Sequence, residues 1–225
     1  NVEPQLKPRQ FALEKIYAAH PQREKLSRER FFIFDRDVKN HVELFRPENV
    51  PLETEEAKLS QQYQKLNGAL TVKFRGDEKT LVQMGRYFEE PDRALRQEAW
   101  ELVAKRRLQD ADKCEEIFDE LIKLRTRIAK NAGFENYRDF MFRKMGRFDY
   151  APEDCVQFHD AVEKEIVPAV REIQAERKAQ LKLEKLRPWD LAVDPQNRAP
   201  LKPFAEVGEM VSRSQKIFNH LDAGL

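Results

Sequence analysis

The sequence predicts an all-α fold, an irregular array of helices with one small β-hairpin near residues 69–80 and a short extended segment near 188–193. Two observations lead to this fold class. The chain has seven glycines in 225 residues, about half the share of an average protein, which argues against a turn-rich β fold. Apolar residues also recur at steps of three and four over long stretches, which is the spacing of one helix face.

The first part of the chain is predicted to form three helices ahead of the hairpin. Residues 10–46 favour two charged helices separated near Pro21, because proline interrupts a helix. Thr54 is the predicted N-cap of a third helix, which is predicted to end at Asn67-Gly68.

The stretch ALTVKFRGDEKTL is the hairpin candidate. Leu70, Val72 and Phe74 alternate with polar residues, so we expect them to share the buried face of a strand. Gly76-Asp77 is predicted to supply a tight turn. Thr80 is predicted to cap a short helix that follows.

An apolar stripe continues through the next stretch as far as Gly133. It predicts one long helix, or two helices that meet near Asp110. A further helix is predicted over 135–145 and is expected to end at Gly146.

Prolines punctuate the last part of the chain. Pro152 suits the first position of a long helix, and Pro168 is expected to kink or split that helix. After an interruption at 186–200, Pro203 is predicted to open a final helix that runs to about Leu221.

Composition excludes several classes of partner. The chain has 41 basic and 40 acidic residues, so it would not attract nucleic acid or an anionic membrane strongly. No apolar run is long enough to cross a bilayer. Cys114 and Cys155 lie in apolar patterns and are predicted to be buried thiols rather than a disulfide. We therefore expect a cytoplasmic protein with no nucleic-acid and no membrane partner.

The sequence contains no active-site motif, and we assign it no catalytic and no metal-binding residue. A zinc site of the HExxH type needs two histidines four residues apart on one helix face. The four histidines, His20, His41, His159 and His220, include no such pair. P-loop, GxGxxG and GxSxG motifs are also absent. We expect no cofactor to be held by this chain.

Residues 131–155 are unusually dense in aromatic residues, arginines and aspartates. They could form a wall that binds peptide by stacking and hydrogen bonding. The interpretation that we favour is a core corner between two helices, in which Arg147 pairs with Asp149.

The stretch LRPWDLAVDP at 186–195 interrupts the helical pattern. Pro188 excludes a continuing helix and biases the residue before it away from helical angles. The stretch could be a connecting loop pinned by a buried Trp189, or an edge strand to which an extended peptide adds a strand. We expect residues 189–193 to be extended and to expose an apolar surface.

Five segments, in order along the chain from about residue 45, resemble the front part of oligoendopeptidase F and its Pz-peptidase relatives, which are thimet-oligopeptidase-like zinc metallopeptidases. The segments are FRPENVPLETEEAKL, GALTVKFRGDEKTLVQM, EEPDRALRQEAWELVAKRR, NAGFENYRDFMFRKMGRFDYAPEDCVQFHDAV and LRPWDL. None is a catalytic signature, but five in one order are specific. The first 45 residues match least well.

The resemblance implies a helical, bowl-like fold with a deep channel that admits only short peptides. It assigns residues 1–185 to a helical N-terminal scaffold that forms one wall of the channel. Residues 186–225 would then be the start of the catalytic domain, truncated before the zinc motif. Zinc is expected in the full-length enzyme, where an HExxH motif and a further glutamate come later than anything present here. The candidates for lining or bracing the wall are Arg147, Asp149, Tyr150, Trp189 and Asp190.

The leading interpretation is the N-terminal portion of a zinc-dependent oligopeptidase that hydrolyses short peptides, inactive without its remainder. A start at Asn1 rather than methionine agrees with a segment of a longer protein. The alternative is a non-catalytic helical module that binds peptides or a protein partner. A structural helical protein that shares only the fold is a third reading. Without the catalytic part, the apolar surface at 189–193 is expected to favour self-association.

Overall fold

The computed structural model describes residues 2–198, 201, 203–222 and 224, and helices dominate them. The predicted all-α class with one small hairpin is confirmed. The α-helices are α1 (Glu3–Ala19), α2 (Arg28–Leu44), α3 (Asn49–Gly68), α4 (Leu81–Met84), α5 (Arg93–Leu108), α6 (Ala111–Asn131), α7 (Tyr137–Lys144), α8 (Pro152–Ala161), α9 (Val167–Gln180) and α10 (Val207–Leu221). Two strands, β1 (Thr71–Phe74) and β2 (Asp77–Thr80), lie between α3 and α4.

Helix α1 packs against α2 and α3. The break predicted near Pro21 is confirmed, because a 3₁₀ turn at Pro21–Lys25 separates α1 from α2. The ring of Phe11 stacks on Phe45 with 4.1 Å between the ring centroids. An ion pair of 2.7 Å between Lys7 and Glu53 ties α1 to α3.

Helix α3 begins earlier than the sequence predicted. The N-cap assigned to Thr54 is wrong, because the helix starts at Asn49 and the Thr54 hydroxyl donates a hydrogen bond to the Val50 carbonyl (2.8 Å). Pro51 explains the difference, since proline fits the first turn of a helix, where its missing N–H has no intrahelical partner. The predicted end at Gly68 is confirmed.

The predicted hairpin is confirmed in position and in the face that it buries. Leu70, Val72 and Phe74 are 5%, 6% and 2% exposed. The two strands are antiparallel. The turn lies one residue earlier than the predicted Gly76-Asp77, because Asp77 already pairs with Phe74. Arg75 and Gly76 turn the chain with φ of 53° and 90°, and two consecutive positive φ angles are the requirement of a type I′ turn.

The hairpin and α5 enclose one of two buried cores. Thr80 caps α4 as predicted, through a reciprocal capping box with Gln83. The ring of Phe74 lies 4.8 Å from that of Tyr87, and Met84 fills the space beside them with 0% exposed.

The long apolar stripe forms two helices, α5 and α6, which meet at Asp110. This was one of the two predicted alternatives. Helix α6 packs along α3, where the Asn49 side-chain amide donates to the Ile128 carbonyl at 3.0 Å. Ile128 and Phe140 belong to the second core, which joins α6 to α7.

Proline shapes the start of α8 and the junction between α8 and α9. Pro152 is the first residue of α8, as predicted. A π turn at Val162–Ile166 separates α8 from α9 just ahead of Pro168. Because proline cannot donate to the carbonyl four residues earlier, a wider turn accommodates it there.

Helix α10 begins at Val207, so the start predicted at Pro203 is wrong. The carboxylate of Glu209 accepts a hydrogen bond from the Ala205 backbone N–H at 2.9 Å. This bond holds the residues ahead of α10 in a non-helical arrangement.

The short extended segment predicted near 188–193 is also wrong. Pro188–Asp190 form a 3₁₀ turn, which leads into a bend. The carboxylate of Asp190 accepts the Arg187 backbone N–H at 3.0 Å, and this side-chain bond selects the turn over a strand. Val193 is 4% exposed, so the predicted apolar strand edge is not formed.

Candidate functional site

Asp190 lies at the centre of a buried ionic cluster where the turn after α9 meets α5. Its side chain is 0% exposed. Arg93 donates two hydrogen bonds of 2.9 Å, from Nε to Oδ1 and from Nη2 to Oδ2. Arg96 Nη2 donates to Oδ1 at 3.1 Å. Both oxygens are therefore satisfied, as a buried carboxylate requires. We name Arg93, Arg96, Trp189 and Asp190 the Asp190 clamp.

The first turn of α5 positions both arginines of the clamp. Asp92 starts the helix as its N-cap, because its side chain accepts the Ala94 N–H at 2.9 Å. Arg93 and Arg96 are three residues apart and so lie on one face. The N-terminus of a helix carries a partial positive charge. Two arginines at this end therefore need a counter-charge, which Asp190 supplies.

Arg96 ties three segments together. It is buried, with 2% exposed. Its Nε donates to the Trp189 carbonyl at 2.8 Å, and its Nη1 donates to the carbonyls of Glu90 (2.8 Å) and Pro91 (2.9 Å). The planar fork of guanidinium donors suits such a junction, where a lysine would offer one point charge.

The clamp keeps Asp190 ionised. Burial by itself would raise the pKa of Asp190, but hydrogen bonds from Arg93, the Arg187 N–H and Arg96 outweigh it and lower this pKa below its ordinary value. The same contact raises the pKa of Arg93. The cluster is therefore a permanent ion pair at neutral pH rather than a proton donor or acceptor.

Trp189 closes the clamp over α5. Its ring lies 5.5 Å from that of Trp100, and the Arg93 guanidinium lies 5.9 Å from its centroid. Its buried Nε1 has no hydrogen-bond partner among the residues that the structure describes. Of the two interpretations of this stretch, the loop pinned by Trp189 agrees with the structure better than the edge strand. The Trp189 ring is half-buried, whereas a buried ring was expected.

The loop between α7 and α8 forms an aromatic corner. The Arg147 guanidinium lies 5.0 Å from the Phe142 ring centroid, and Tyr150 meets the same ring edge-on at 5.7 Å. Asp149 and Tyr150 are exposed. In the described part of the chain Arg147 and Asp149 form no ion pair, so the predicted pairing between them is wrong.

Helix α2 holds this corner in place. The guanidinium of Arg36 lies 4.3 Å from the Phe148 ring centroid. Two hydrogen bonds join Arg143 to Asn40. Arg143 Nε donates to Asn40 Oδ1 at 3.0 Å, and Asn40 Nδ2 donates to the Arg143 carbonyl at 2.8 Å. Arg143 also pairs with Glu43 at 2.7 Å. The exposed end of the corner is therefore presented from a fixed base.

A groove of about 740 Å³ lies between α3 and α6. Apolar side chains dominate its lining, among them Tyr63 and Phe118, which are 48% and 57% exposed. Cys114, a half-buried free thiol, and Arg125 lie at the same groove. Arg125 is held by Glu56 at 2.8 Å.

Among the described residues, no three His, Cys, Asp or Glu side chains gather closely enough to hold a metal ion. His41 lies 3.5 Å from Glu14, and His20 Nδ1 accepts the Gln22 N–H. These residues do not fit the zinc site that the resemblance implies. No helix in the ranges that the structure covers is long and apolar enough to cross a membrane.

A model of peptidase family M3 matches residues 86–221, more than half of the chain. The chain belongs to peptidase family M3. The matched residues include α5 and the whole Asp190 clamp. No curated protein matches this M3 chain.

Solved structures support the same assignment. A candidate oligoendopeptidase F of Bacillus anthracis str. Ames is 26% identical with a TM-score of 0.90. A second candidate oligoendopeptidase F is 25% identical with a TM-score of 0.92, and Pz peptidase A with an inhibitor is 28% identical with a TM-score of 0.91. The matches cover 98%, 99% and 99% of this chain, which spans 40%, 39% and 39% of those chains. The resemblance read from the sequence is confirmed.

The M3 chain places the predicted site residues in two groups. Arg147, Asp149 and Tyr150 lie at the α7–α8 corner, whereas Trp189 and Asp190 lie against α5. Asp190 is enclosed and holds the chain together, while Asp149 and Tyr150 are open to contact other molecules.

The sequence reasoning missed Arg93 and Arg96. A signal was present, because the segment EEPDRALRQ places two arginines in the first turn of a helix behind an N-cap aspartate. Cations are unfavourable at that end of a helix unless another group neutralises them. The neutralising aspartate is 97 positions from Arg93, so the local pattern could not identify it.

Proposed function

We propose that this M3 chain is the N-terminal helical part of a zinc-dependent oligopeptidase that hydrolyses short peptides. One observation carries the proposal. Nearly the whole chain superposes on two candidate oligoendopeptidase F structures and on Pz peptidase A, with TM-scores of 0.90 to 0.92. Membership of peptidase family M3 supports it. Because the chain spans 39–40% of those structures, the activity belongs to the proposal for the whole enzyme.

Within the proposed enzyme, residues 1–185 form one wall of the substrate channel and residues 186–225 begin the catalytic domain. In this arrangement the Asp190 clamp fixes the first residues of the second part to α5 of the first. Trp189 and Asp190 then brace the wall. Asp149 and Tyr150, which are exposed beside Arg147, are proposed to face the peptide.

The zinc of the proposed enzyme is held by residues outside this chain. The 225 residues contain no HExxH motif, and the described residues form no metal cluster. The chain alone is therefore proposed to be inactive. A cytoplasmic location is part of the proposal and is supported by two unpaired cysteines, Cys114 and Cys155.

A chimera tests this function. The region of Pz peptidase A that corresponds to this chain would be replaced by the chain itself, and hydrolysis of short fluorogenic peptides would be measured. We expect activity from the chimera and none from the chain alone, with intact Pz peptidase A as the control. A chimera that folds and binds zinc but cleaves no peptide would contradict the proposal, and so would hydrolysis by the chain alone.

The alternative, a non-catalytic peptide-binding module, is favoured by one observation, the apolar groove between α3 and α6. It expects the isolated chain to bind short apolar peptides, and Phe118→Ala to weaken that binding. Fluorescence anisotropy of labelled peptides, with Val82→Ala as an exposed control outside the groove, separates this function from the first.

A further inference from the structure

The groove between α3 and α6 carries negative charge on its α6 side. Glu115 and Asp119 line it, and both side chains are exposed. Among the residues that the structure describes, neither carboxylate forms an ion pair. Arg125 also lines the groove, but Glu56 neutralises its charge at 2.8 Å. The charge that remains in the groove is therefore negative.

The first half of α6 strengthens this charge. Residues 112–120 include five acidic residues and one lysine. That lysine, Lys113, pairs with Asp110 at 2.7 Å, and Lys123, just beyond this stretch, pairs with Glu120 at 2.6 Å. Neighbouring charges of one sign add to the potential that a bound ligand experiences. A cationic ligand is thus favoured in the groove over an anionic one.

The middle of the groove is apolar. Tyr63 of α3 and Phe118 of α6 are 48% and 57% exposed, and Leu121, which also lines the groove, is 8% exposed. Aromatic side chains that are half exposed contribute free energy when a ligand removes them from water. The groove volume of about 740 Å³ falls within the range of known ligand sites, about 300–1,000 Å³.

The α3 side of the groove offers neutral hydrogen-bonding groups. Ser60 and Gln64 are four residues apart and so lie on one side of α3. Within the described part of the chain their side chains make no hydrogen bond. A peptide needs such groups, because its backbone N–H and C=O must remain hydrogen-bonded when they leave water.

The length of the groove also suits a peptide. Its lining on α6 runs from Cys114 to Arg125, which is about 16 Å of helix at 1.5 Å per residue. An extended peptide of about five residues has the same length. A nucleic acid would bring phosphates against the acidic side of the groove, which disfavours it.

We propose that the groove between α3 and α6 binds a short extended peptide in which apolar side chains stand next to lysine or arginine. The apolar side chains contact Tyr63 and Phe118, and the cation pairs with Glu115 or Asp119. The complementary charge is what selects a basic peptide. This inference deepens the peptide-binding alternative, on which it rests, by naming the class of peptide.

Fluorescence anisotropy with three labelled five-residue peptides tests the inference. The peptides are capped at both ends and contain two leucines, one phenylalanine and two variable residues, which are lysine, glutamine or glutamate. We expect the lysine peptide to bind about fivefold more tightly than the glutamine peptide, and the glutamate peptide to bind most weakly, because exposed ion pairs contribute modestly. The preference should shrink in about 1 M salt, which screens exposed charges.

Two double variants separate the charge in the groove from the charge of the rest of α6. Glu115→Gln with Asp119→Asn should make the lysine peptide bind no more tightly than the glutamine peptide. Asp112→Asn with Glu116→Gln removes the same charge from residues outside the groove lining, and it should keep most of the preference. Circular dichroism would confirm that both variants are folded.

The two cysteines report where the peptide binds. Cys114 lines the groove, Cys155 lies on α8, and both are half-buried free thiols. Saturating lysine peptide should slow the alkylation of Cys114 by iodoacetamide several-fold and leave Cys155 unchanged, as read by mass spectrometry. Equal slowing at both thiols, or none at Cys114, would overturn the assignment of the peptide to the groove.

The other outcomes are equally decisive. Equal affinity for the lysine and glutamine peptides would overturn the inference and leave the peptide-binding alternative in place, whereas no binding of any peptide would overturn both. Binding that is lost in the chimera with Pz peptidase A would assign the groove to the rest of the enzyme. Dimers that Phe118→Asp dissociates, detected by sedimentation equilibrium, would assign it to a second copy. Either result overturns the inference. Hydrolysis by the chimera is read separately and tests the leading function alone.

Discussion

The Asp190 clamp and the apolar stripe of α10 differ in how their side chains are satisfied. The stripe consists of apolar residues on one side of the helix, namely Val207, Met210, Val211, Ile217, Phe218 and Leu221. In the clamp, a carboxylate that is 0% exposed has two arginines and a backbone N–H around it, all from this chain. On the α10 stripe, apolar side chains such as Phe218 remain about half exposed. The first region is satisfied within the chain, whereas the second is open to solvent. Substitutions in the clamp should therefore destabilise the fold, and substitutions on the stripe should leave its stability nearly unchanged.

The largest effect is expected from Asp190→Ala. It leaves the buried Arg96 and its neighbour Arg93 without their counter-charge, and removing one partner of a buried pair costs about 3–5 kcal/mol of unfolding free energy. Urea unfolding followed by circular dichroism would measure it. Glu120→Ala is the control, because Glu120 forms an exposed ion pair with Lys123 and should matter far less. Equal losses in the two variants would show that the clamp does not support the fold.

Phe74→Ala should have an effect of similar or slightly smaller size. Phe74 is 2% exposed and packs on Tyr87, so truncation leaves a cavity in the hairpin core and costs about 3–5 kcal/mol. The same unfolding experiment applies. Phe118→Ala, at a side chain that is 57% exposed, is the control. A loss under about 1 kcal/mol for Phe74→Ala would place the ring outside the core.

A smaller effect is expected from pH. The pKa of Asp190 is lower in the folded chain than in the unfolded one, so its contribution to stability is present above the unfolded pKa, near 3.8, and is lost as the pH falls through the folded value. The free energy of unfolding of the wild-type chain should therefore fall more steeply below about pH 4 than that of Asp190→Asn. Other carboxylates with lowered pKa, such as Asp35 and Asp110, remain in both proteins and cancel in the difference. Parallel profiles would contradict the assignment.

The same contrast explains what the sequence could predict. The hairpin follows from alternation within seven residues and from a local turn at Gly76, so it could be located closely. The turn at Pro188–Asp190 could not, because the arginines that fix Asp190 lie 94 and 97 positions away. An extended segment was predicted there on local grounds, but Asp190 accepts the Arg187 N–H and closes a turn, and the two distant arginines hold its carboxylate in that position. The family resemblance supplied the candidate channel residues, and the structure separates them by burial, since Asp190 is enclosed and Tyr150 is exposed.

The smallest effect in the isolated chain is expected on the α10 stripe. Val211→Asp and Phe218→Asp remove apolar groups that water already reaches, with 59% and 52% exposed. Each should therefore change the free energy of unfolding by no more than about 0.5 kcal/mol, as most surface substitutions do. Unfolding would be followed at a concentration where sedimentation shows a monomer. A loss comparable to that of Phe74→Ala would mean that α10 is covered from within the chain. A neutral result would show that these side chains contribute little to stability in the isolated chain, because the hydrophobic free energy depends on the apolar area that is removed from water.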